Sequence, residues 1–419
     1  MEANVISMTE NLMKLIAVVI FSGVVFAKIG KKVHMPDIVF FIVAGIIIGP
    51  SILNLVSFDL YPVANQFILV FGASYILYDG GREISLKVLN EVKLSVGLLA
   101  TAGVLISTFI TGFIAYKVLH IDFIYAILLG SVIASTDPSV LVPLFKNMNI
   151  SPKLKQAIIS ESAFNDAVAS IITFAIISII SGGSFSLGHS IIDLLKEAGG
   201  GVLVGGIIGY VATLLVSEGK FGLLKGYAGE IAVASVLLAY FISAHFGFSG
   251  FMAVFIIGIV CGNKEACSLS DIDKEAYDLH LKFKEVLISI LRIIIFIILG
   301  IQMDFSILSK HWSGALIIVI GLIFVSRPVS VFISVIFDKK ASWSFREIAY
   351  IMWTRETGVI PAALAGMIIS MKVQHADIIS AVTSMAIIIT IGIQASSAKY
   401  FAKVLKLDVD TCEEEKQRL

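Results

Sequence analysis

The sequence predicts an all-α polytopic membrane protein of about 13 transmembrane helices, arranged as an inverted repeat of two six-helix halves. Three observations support this fold class: the composition, the placement of lysine and arginine, and an internal similarity. Hydrophobic residues make up 58% of the 419 residues and charged residues 15%, with a mean hydropathy of +0.96. One or two soluble cores cannot bury so much apolar surface, so a soluble enzyme is excluded.

Charge and motifs exclude two further classes of protein. Lysine plus arginine and aspartate plus glutamate both number 31, so the formal net charge is zero. The protein therefore lacks the positive field on which nucleic-acid binding depends. The sequence contains no HExxH, P-loop or GxSxG motif, so we expect neither a membrane hydrolase nor an ATP-driven pump, and no cofactor.

The apolar segments define the predicted helices in order, because a helix needs about 17 to 25 mainly apolar residues to cross a bilayer. The predicted spans are 12–30, 36–50, 62–78, 94–118, 123–145, 154–181, 189–216, 227–246, 248–263, 284–303, 312–337, 346–371 and 375–402. We expect a single integral membrane unit over 1–419. It comprises a first repeat at 12–181, a linker helix at 189–216, a second repeat at 227–402 and a short cytoplasmic tail at 403–419.

Lysine and arginine alternate between successive loops, as the positive-inside rule requires of a correct span count. The even-numbered loops hold only Lys117, Lys310 and Lys372. The odd-numbered loops hold Lys31, Lys32, Arg82, Lys87, Lys93, Lys146, Lys153, Lys155, Lys220, Lys225, Lys264, Lys274, Lys282, Lys284, Lys339, Lys340 and Arg346. The sequence therefore predicts a multi-pass protein of the cell membrane, with the N-terminus outside and the C-terminus in the cytoplasm.

An internal similarity indicates the inverted repeat. Residues 37–49 of span two match residues 250–262 of span nine in side-chain size and glycine placement, and 81–85 after span three match 302–306 after span ten. Seven spans separate each pair, which is an odd number, so the second copy would be inserted upside down. Resemblance by apolar composition alone is the alternative.

Spans five and twelve contain charged residues together with prolines. Span five reads Thr136-Asp137-Pro138, and span twelve contains Arg355-Glu356 followed by Gly358 and Pro361. Proline lacks an N–H group and disfavours helical geometry before it, so we expect both helices to break. Paired interrupted helices in two inverted halves indicate a substrate site. Kinked helices with a buried polar pair are the alternative.

Span six carries the densest polar cluster, Ser160-Glu161-Ser162-Ala163-Phe164-Asn165-Asp166. Glu161 and Asn165 share one helical face, and Ser162 and Asp166 share the neighbouring face. Ser162 and Asp166, with Thr136 and Asp137, offer the hard oxygen ligands that suit a small cation. Glu161 needs a countercharge, for which Arg327 of span eleven is a candidate. A purely structural buried ion cluster is the alternative.

These residues resemble the NhaP-type branch of the first monovalent cation:proton antiporter family, which is related to the sodium/proton exchangers. The resemblance rests on Thr136-Asp137-Pro138, Glu161-Ser162 and Asn165-Asp166. The Asn-Asp pair is its most specific element, because the sister family of electrogenic exchangers typically has two aspartates there. The resemblance implies a homodimer in which a mobile core domain carries one ion by an elevator-like movement.

The resemblance also implies residue roles. Asp166 would be the shared Na⁺ and proton site, Thr136, Asp137 and Ser162 would help to coordinate Na⁺, and Asp79 would contribute at the edge of the site. From spacing alone, Asp79 is equally well explained as an interfacial residue. Arg327 would steady Glu161 and Asn165. In span twelve the sequence departs from the family, because Thr357 stands where arginine often precedes the glycine. Arg355 and Glu356 would instead offset helix-end dipoles at the crossing.

The resulting hypothesis is electroneutral exchange of one Na⁺ (or Li⁺) for one H⁺ at Asp166, with alternating access from the two sides. Exchange of K⁺ or mixed cations is a first alternative, since the donor set does not fix ion size. A sodium-coupled symporter of organic anions is a second. A sensor that binds Na⁺ without transport is a third.

Overall fold

A computed structural model describes residues 2–33, 36–56, 61–137, 145, 148–182, 187–218, 222–264, 274–303 and 305–408. Within these ranges the chain is helical and contains no strand. The helices are α1 Glu2–Val33, α2 Asp37–Ile48, α3 Pro62–Arg82, α4 Leu86–Leu119, α5 Phe123–Val132, α6 Pro152–Ile180, α7 Leu187–Val216, α8 Ala228–His245, α9 Gly250–Gly262, α10 Lys274–Ile301, α11 305–335, α12 Phe345–Trp353, α13 Val359–Ser370 and α14 Ala376–Val404. Residues 409–419 of the predicted tail lie outside the described residues.

A helix overlaps each predicted apolar span, but several helices are longer than predicted. Helix α4 begins at Leu86 rather than at 94, and α10 begins at Lys274 rather than at 284. Hydropathy marks only the part of a helix that suits hydrocarbon, whereas charged turns can continue the same helix beyond it. Seven described helices are long and apolar enough to cross a membrane: Met8–Val33, Leu86–Leu119, Pro152–Ile180, Leu195–Val216, Ala228–His245, Ser306–Val335 and Ala376–Val404.

Glycine allows backbone contact where several helices cross, among them α2 with α10 and α3 with α9. A Cβ atom on Gly45 of α2 would lie 2.2 Å from the carbonyl oxygen of Ile297 in α10. A Cβ atom on Gly258 of α9 would lie 2.1 Å from the carbonyl oxygen of Tyr78 in α3. No side chain fits at these distances, so small residues set the separation of α2 from α10 and of α3 from α9.

Three described helices contain a π-helical turn, at Leu99–Gly103 in α4, Leu322–Ser326 in α11 and Thr390–Ala395 in α14. A π-turn inserts an extra residue and changes the direction of the side chains beside it, and such turns are frequent at functional sites. Arg327 follows the second π-turn directly. The third π-turn contains Thr390 and Gln394.

A polar contact fixes the loop between α11 and α12 against α4. The Asp338 carboxylate accepts hydrogen bonds from the N–H and hydroxyl of Ser95, at 3.0 and 2.7 Å, and from the N–H of Ala341 at 3.1 Å. The indole N–H of Trp343 donates to the same Ser95 hydroxyl at 2.8 Å. These hydrogen bonds therefore fix the position of this loop on α4.

Candidate functional site

The first helix break lies after α5, which ends at Val132. The sequence predicted the break at Asp137-Pro138, but residues 133–137 are already non-helical, and residues 138–144 lie outside the described residues. The carbonyl groups of Ile133 and Ala134 each accept a 2.8 Å hydrogen bond from the Arg355 guanidinium. The Arg355 guanidinium thus binds the negative end of α5.

Thr136 joins this break to α6. Its N–H donates to Asn165 Oδ1 at 3.0 Å, and its hydroxyl oxygen accepts from Asn165 Nδ2 at 2.9 Å. The Thr136 hydroxyl donates to Ser162 Oγ at 2.9 Å. All three residues are buried. The structure therefore brings the predicted ligands Thr136 and Ser162 into direct contact.

Asp137 links the two broken helices. Its N–H donates to the carbonyl oxygen of Glu356 at 2.8 Å, and its Oδ2 accepts from the N–H of Val359, the first residue of α13, at 2.8 Å. A carboxylate at this position stabilises the positive end of a helix. A Cβ atom on Gly358 would lie 2.0 Å from Asp137 Oδ2, so only glycine allows this approach.

The second break occupies residues 354–358, between α12 and α13. The sequence placed Pro361 within the break, which is wrong: Pro361 is the third residue of α13. N–H groups in the first turn of a helix have no partner within the helix, so proline is tolerated there. Helix α14 supplies hydrogen-bond partners for backbone groups at this break. Gln394 Nε2 donates to the carbonyl of Trp353 at 2.8 Å, and the N–H of Thr357 donates to Thr390 Oγ1 at 3.0 Å.

Glu161 and Arg327 form a buried two-point ion pair. Arg327 Nη1 contacts Glu161 Oε1, and Nη2 donates to Oε2 at 2.9 Å. Nε and Nη2 of the same guanidinium donate to the carbonyl of Ile351 at 3.2 and 2.9 Å. The described side-chain hydrogen bonds of Asn165 go to Thr136, and those of the guanidinium go to Glu161 and Ile351. That Arg327 steadies Asn165 stays a prediction.

Asp166 lies on α6 beside this network. Its side chain is 4% exposed, its neighbours include Asp137 and Ser135, and Oδ1 has no hydrogen-bond partner among the described residues. An uncompensated buried carboxylate is costly, so this oxygen favours a cation or a proton.

Glu356 is the second buried carboxylate with vacant acceptors. It is 0% exposed, and neither of its carboxylate oxygens has a hydrogen-bond partner within the described ranges. It does not cap α13, which Asp137 does instead. The buried cluster therefore contains four acidic residues but two arginines: Asp137, Glu161, Asp166, Glu356, Arg327 and Arg355.

Asp79 stands apart from the other predicted site residues. Its carboxylate forms a 2.5 Å ion pair with Lys284 of α10, and the two side chains are 22% and 10% exposed. No described contact joins Asp79 to Asp166, so its place at the edge of the cation site remains a prediction. The sequence analysis did not identify Lys284 as its partner.

Sequence reasoning also missed Thr390, Gln394 and Ser135. The signal for the first two was present, since a threonine and a glutamine four residues apart interrupt the apolar last span. Polar side chains within a membrane span usually face other helices rather than lipid. Ser135 directly precedes the predicted Thr136-Asp137 pair.

The fold and the site together define a membrane ion transporter: two broken helices meet at buried carboxylates inside an apolar helical bundle. Residues 16–404 match the family model described as "Sodium/hydrogen exchanger, transmembrane". The chain belongs to this family, which consists of transporters rather than enzymes.

Relatives of known name agree with this assignment. The chain is 30% identical over 352 residues to Na(+)/H(+) antiporter 1 of Methanocaldococcus jannaschii, covering 82% of this chain and 80% of the relative. It is 26% identical to K(+)/H(+) antiporter NhaP2 of Shewanella oneidensis, over 92% of this chain and 66% of the relative. The solved structure of the sodium proton antiporter MjNhaP1 from M. jannaschii at pH 8 matches with a TM-score of 0.83 and 28% identity, over 94% of this chain and 99% of that one.

Proposed function

We propose that this protein exchanges Na⁺ or Li⁺ for H⁺ across the cell membrane, one for one, with Asp166 as the shared binding site. The observation that carries the proposal is the Asp166 carboxylate, which is buried on α6 beside Asp137 of the first break, with one oxygen lacking a described partner. A proton or a Na⁺ ion can each neutralise such a group, but both cannot occupy it together. This competition couples the two fluxes.

The proposed cation ligands are Asp166, Asp137, Thr136 and Ser162. Carboxylate and hydroxyl oxygens suit a hard monovalent cation. The hydroxyl groups of Thr136 and Ser162 already contact each other. Asp137 is an electrostatic neighbour of Asp166. Asn165 fixes Thr136 through two hydrogen bonds, so it supports this set without supplying a charge.

We infer electroneutral exchange because Glu161, a second buried acidic residue, already has a countercharge. Glu161 is bound by Arg327, so it is unavailable for exchange. If Asp166 alone changes its occupant, one Na⁺ leaves for each proton that enters. With protons more concentrated outside, the gradient would drive Na⁺ out of the cell.

For the architecture we propose thirteen membrane crossings in two inverted six-helix halves. The glycine crossings support the repeat, because α2 packs on α10 as α9 packs on α3, and Gly45 corresponds to Gly258. The family resemblance supports a homodimer with elevator-type movement. The distribution of lysine and arginine supports an outside N-terminus and a cytoplasmic C-terminus.

Exchange of K⁺ for H⁺ is the second candidate. The observation that favours it is the similarity to the K(+)/H(+) antiporter NhaP2 of Shewanella oneidensis. The proposed donor set would bind either ion, because it consists of the same hard oxygens.

Transport by the reconstituted protein tests the proposal. Liposomes with an imposed pH gradient and a trapped pH dye would receive Na⁺, Li⁺, K⁺ or choline, in parallel with Asp166→Asn. We expect Na⁺ and Li⁺ to collapse the gradient, and choline and the variant to leave it intact. If K⁺ alone collapses the gradient, the transported cation is K⁺ rather than Na⁺. If no cation collapses it although the protein is folded, a symporter or a sensor is favoured.

A further inference from the structure

The π-turn of α14 brings two polar side chains to the second helix break. Thr390 and Gln394 are four residues apart, which places them on one helical face, and both are 0% exposed. Burying a hydroxyl and an amide in an apolar bundle is unfavourable unless they form hydrogen bonds. Their position therefore calls for partners outside α14.

Those partners are backbone groups on either side of the break. Gln394 Nε2 donates to the carbonyl of Trp353, the last residue of α12, at 2.8 Å. The Thr390 hydroxyl oxygen accepts the N–H of Thr357 at 3.0 Å, while its own hydrogen points to the carbonyl of Ile387 in α14. A broken helix must satisfy its free backbone groups inside the membrane, and α14 does so at two points.

The end of α12 is held on α14 by side-chain contacts as well. The indole N–H of Trp353 donates to Ser397 Oγ at 3.0 Å, and its ring packs against Phe401 with the ring centroids 5.2 Å apart. Ser397 lies three residues after Gln394, close to the same face of α14. The contacts therefore run along α14 from Thr390 to Phe401.

We propose that Thr390 and Gln394 are positioning residues for the cation site. They act through residues 354–359, which α14 holds on one side and Asp137 contacts on the other. Glu356 accepts the Asp137 N–H, and Val359 donates to the Asp137 carboxylate. If the Thr390 acceptor is lost, the N–H of Thr357 is buried without a partner, and the segment that orients Asp137 moves to satisfy it. This inference rests on the proposed function, because Asp137 is taken as a cation ligand.

Three threonine variants test the proposal. Thr390→Val keeps the shape but removes the acceptor, and Thr390→Ser keeps the hydroxyl. Thr383→Val is the matched control, because Thr383 is equally buried on α14 and its hydroxyl, within the described ranges, donates to the Ile379 carbonyl of its own helix. We expect Thr390→Val to raise the KM for Na⁺ on the order of tenfold, with a smaller change in kcat. Thr390→Ser and Thr383→Val would stay near the wild type.

Hydrogen exchange over residues 353–359, followed by mass spectrometry, gives a second readout that needs no transport. We expect faster exchange in Thr390→Val than in Thr383→Val. Equal KM values and equal exchange in these two variants would overturn the proposal. If the wild type transports no cation, the proposed function fails, and hydrogen exchange alone decides the positioning role. If Thr390→Val does not fold, Gln394→Met in the same measurements takes its place, with the same expected and contradicting results.

Discussion

Two pairs of buried acid and arginine lie near the helix crossing, and they differ in how their charges are satisfied. Glu161 and Arg327 are far apart in sequence but bind each other at two points. Arg355 and Glu356 are adjacent in sequence, yet Arg355 binds the carbonyl groups of Ile133 and Ala134, and no other described residue donates a hydrogen bond to the Glu356 carboxylate. Proximity in sequence therefore does not identify the ion pair.

The difference separates structural charges from charges that remain available. A buried carboxylate that receives two guanidinium hydrogen bonds has its countercharge and does not need an exchangeable ion. Asp166 and Glu356 lack such a partner among the described contacts, and Asp166 lies beside the proposed ligands. The first pair thus stabilises the core, whereas Asp166 is the carboxylate at which we propose that a proton or a cation binds.

Glu161→Gln is expected to have the largest effect on stability. It leaves the Arg327 guanidinium buried without a carboxylate, which costs about 3–5 kcal/mol in the free energy of unfolding. Unfolding in mixed detergent micelles would measure this cost. As a control, Asp37→Asn removes the half-exposed 3.5 Å pair with Arg292 and is expected to cost at most about 1 kcal/mol. Equal losses of unfolding free energy in the two variants would contradict a structural role for the Glu161–Arg327 pair.

Gly358→Ala tests the contact between the two breaks. The new Cβ atom would meet Asp137 Oδ2 at 2.0 Å, so the carboxylate must move away from the start of α13. We expect a loss of about 1–3 kcal/mol in stability and loss of cation-driven proton flux in liposomes. Gly392→Ala is the matched control, because nothing lies within 4 Å of a Cβ atom there. Normal flux in Gly358→Ala would show that this contact is dispensable.

Asp338→Asn probes a carboxylate that lies outside the membrane spans and accepts several hydrogen bonds. Although burial opposes its ionisation, hydrogen bonds from Ser95 and the Ala341 N–H lower the pKa of Asp338. A lowered pKa adds stability above the unfolded-state pKa of about 3.9, and this stability is lost as the pH falls through the folded-state value. We expect the variant to lose about 1–2 kcal/mol at neutral pH.

The pH dependence of that loss provides its check. The difference in unfolding free energy between the wild type and Asp338→Asn should stay constant around neutrality and shrink as the pH falls below about 4. A difference that instead grows on acidification would contradict a lowered pKa of Asp338 in the folded protein.

Glu356→Gln is expected to have the smallest effect on stability. It tests directly whether Glu356 differs from Glu161 in carrying no structural charge. No described donor is lost, and a neutral side chain of the same shape removes the cost of burying a charge. The free energy of unfolding should change by less than about 1 kcal/mol or increase. A loss as large as that of Glu161→Gln would show that Glu356 carries a structural charge after all.

The sequence was sufficient for the helices and for part of the site. Apolar length located each helix, and the helical spacing of Glu161, Ser162, Asn165 and Asp166 placed them on adjoining faces of α6. The Glu161–Arg327 pair could be predicted because a buried charge requires a countercharge and few arginines lie within the spans. These inferences depend only on local periodicity and on the cost of burying charge.

The remaining features depend on tertiary packing, which one sequence does not specify. Lys284, at the start of the predicted tenth span, pairs with Asp79 because α10 packs against α3. Pro361 lies inside α13 because the chain resumes its helix at Val359, where Asp137 accepts the first N–H. The roles of Thr390 and Gln394 depend on which helix lies beside the second break.

Proton release on Na⁺ binding would show whether the two ions compete for Asp166. Purified protein in weakly buffered detergent solution would be titrated with Na⁺ while released protons are counted by a pH dye, in parallel with Asp166→Asn. We expect close to one proton to be released per Na⁺ bound at a pH where the empty site is protonated, and neither proton release nor Na⁺ binding in the variant. Unchanged Na⁺ binding with proton release in folded Asp166→Asn would contradict the assignment of Asp166 as the exchange site.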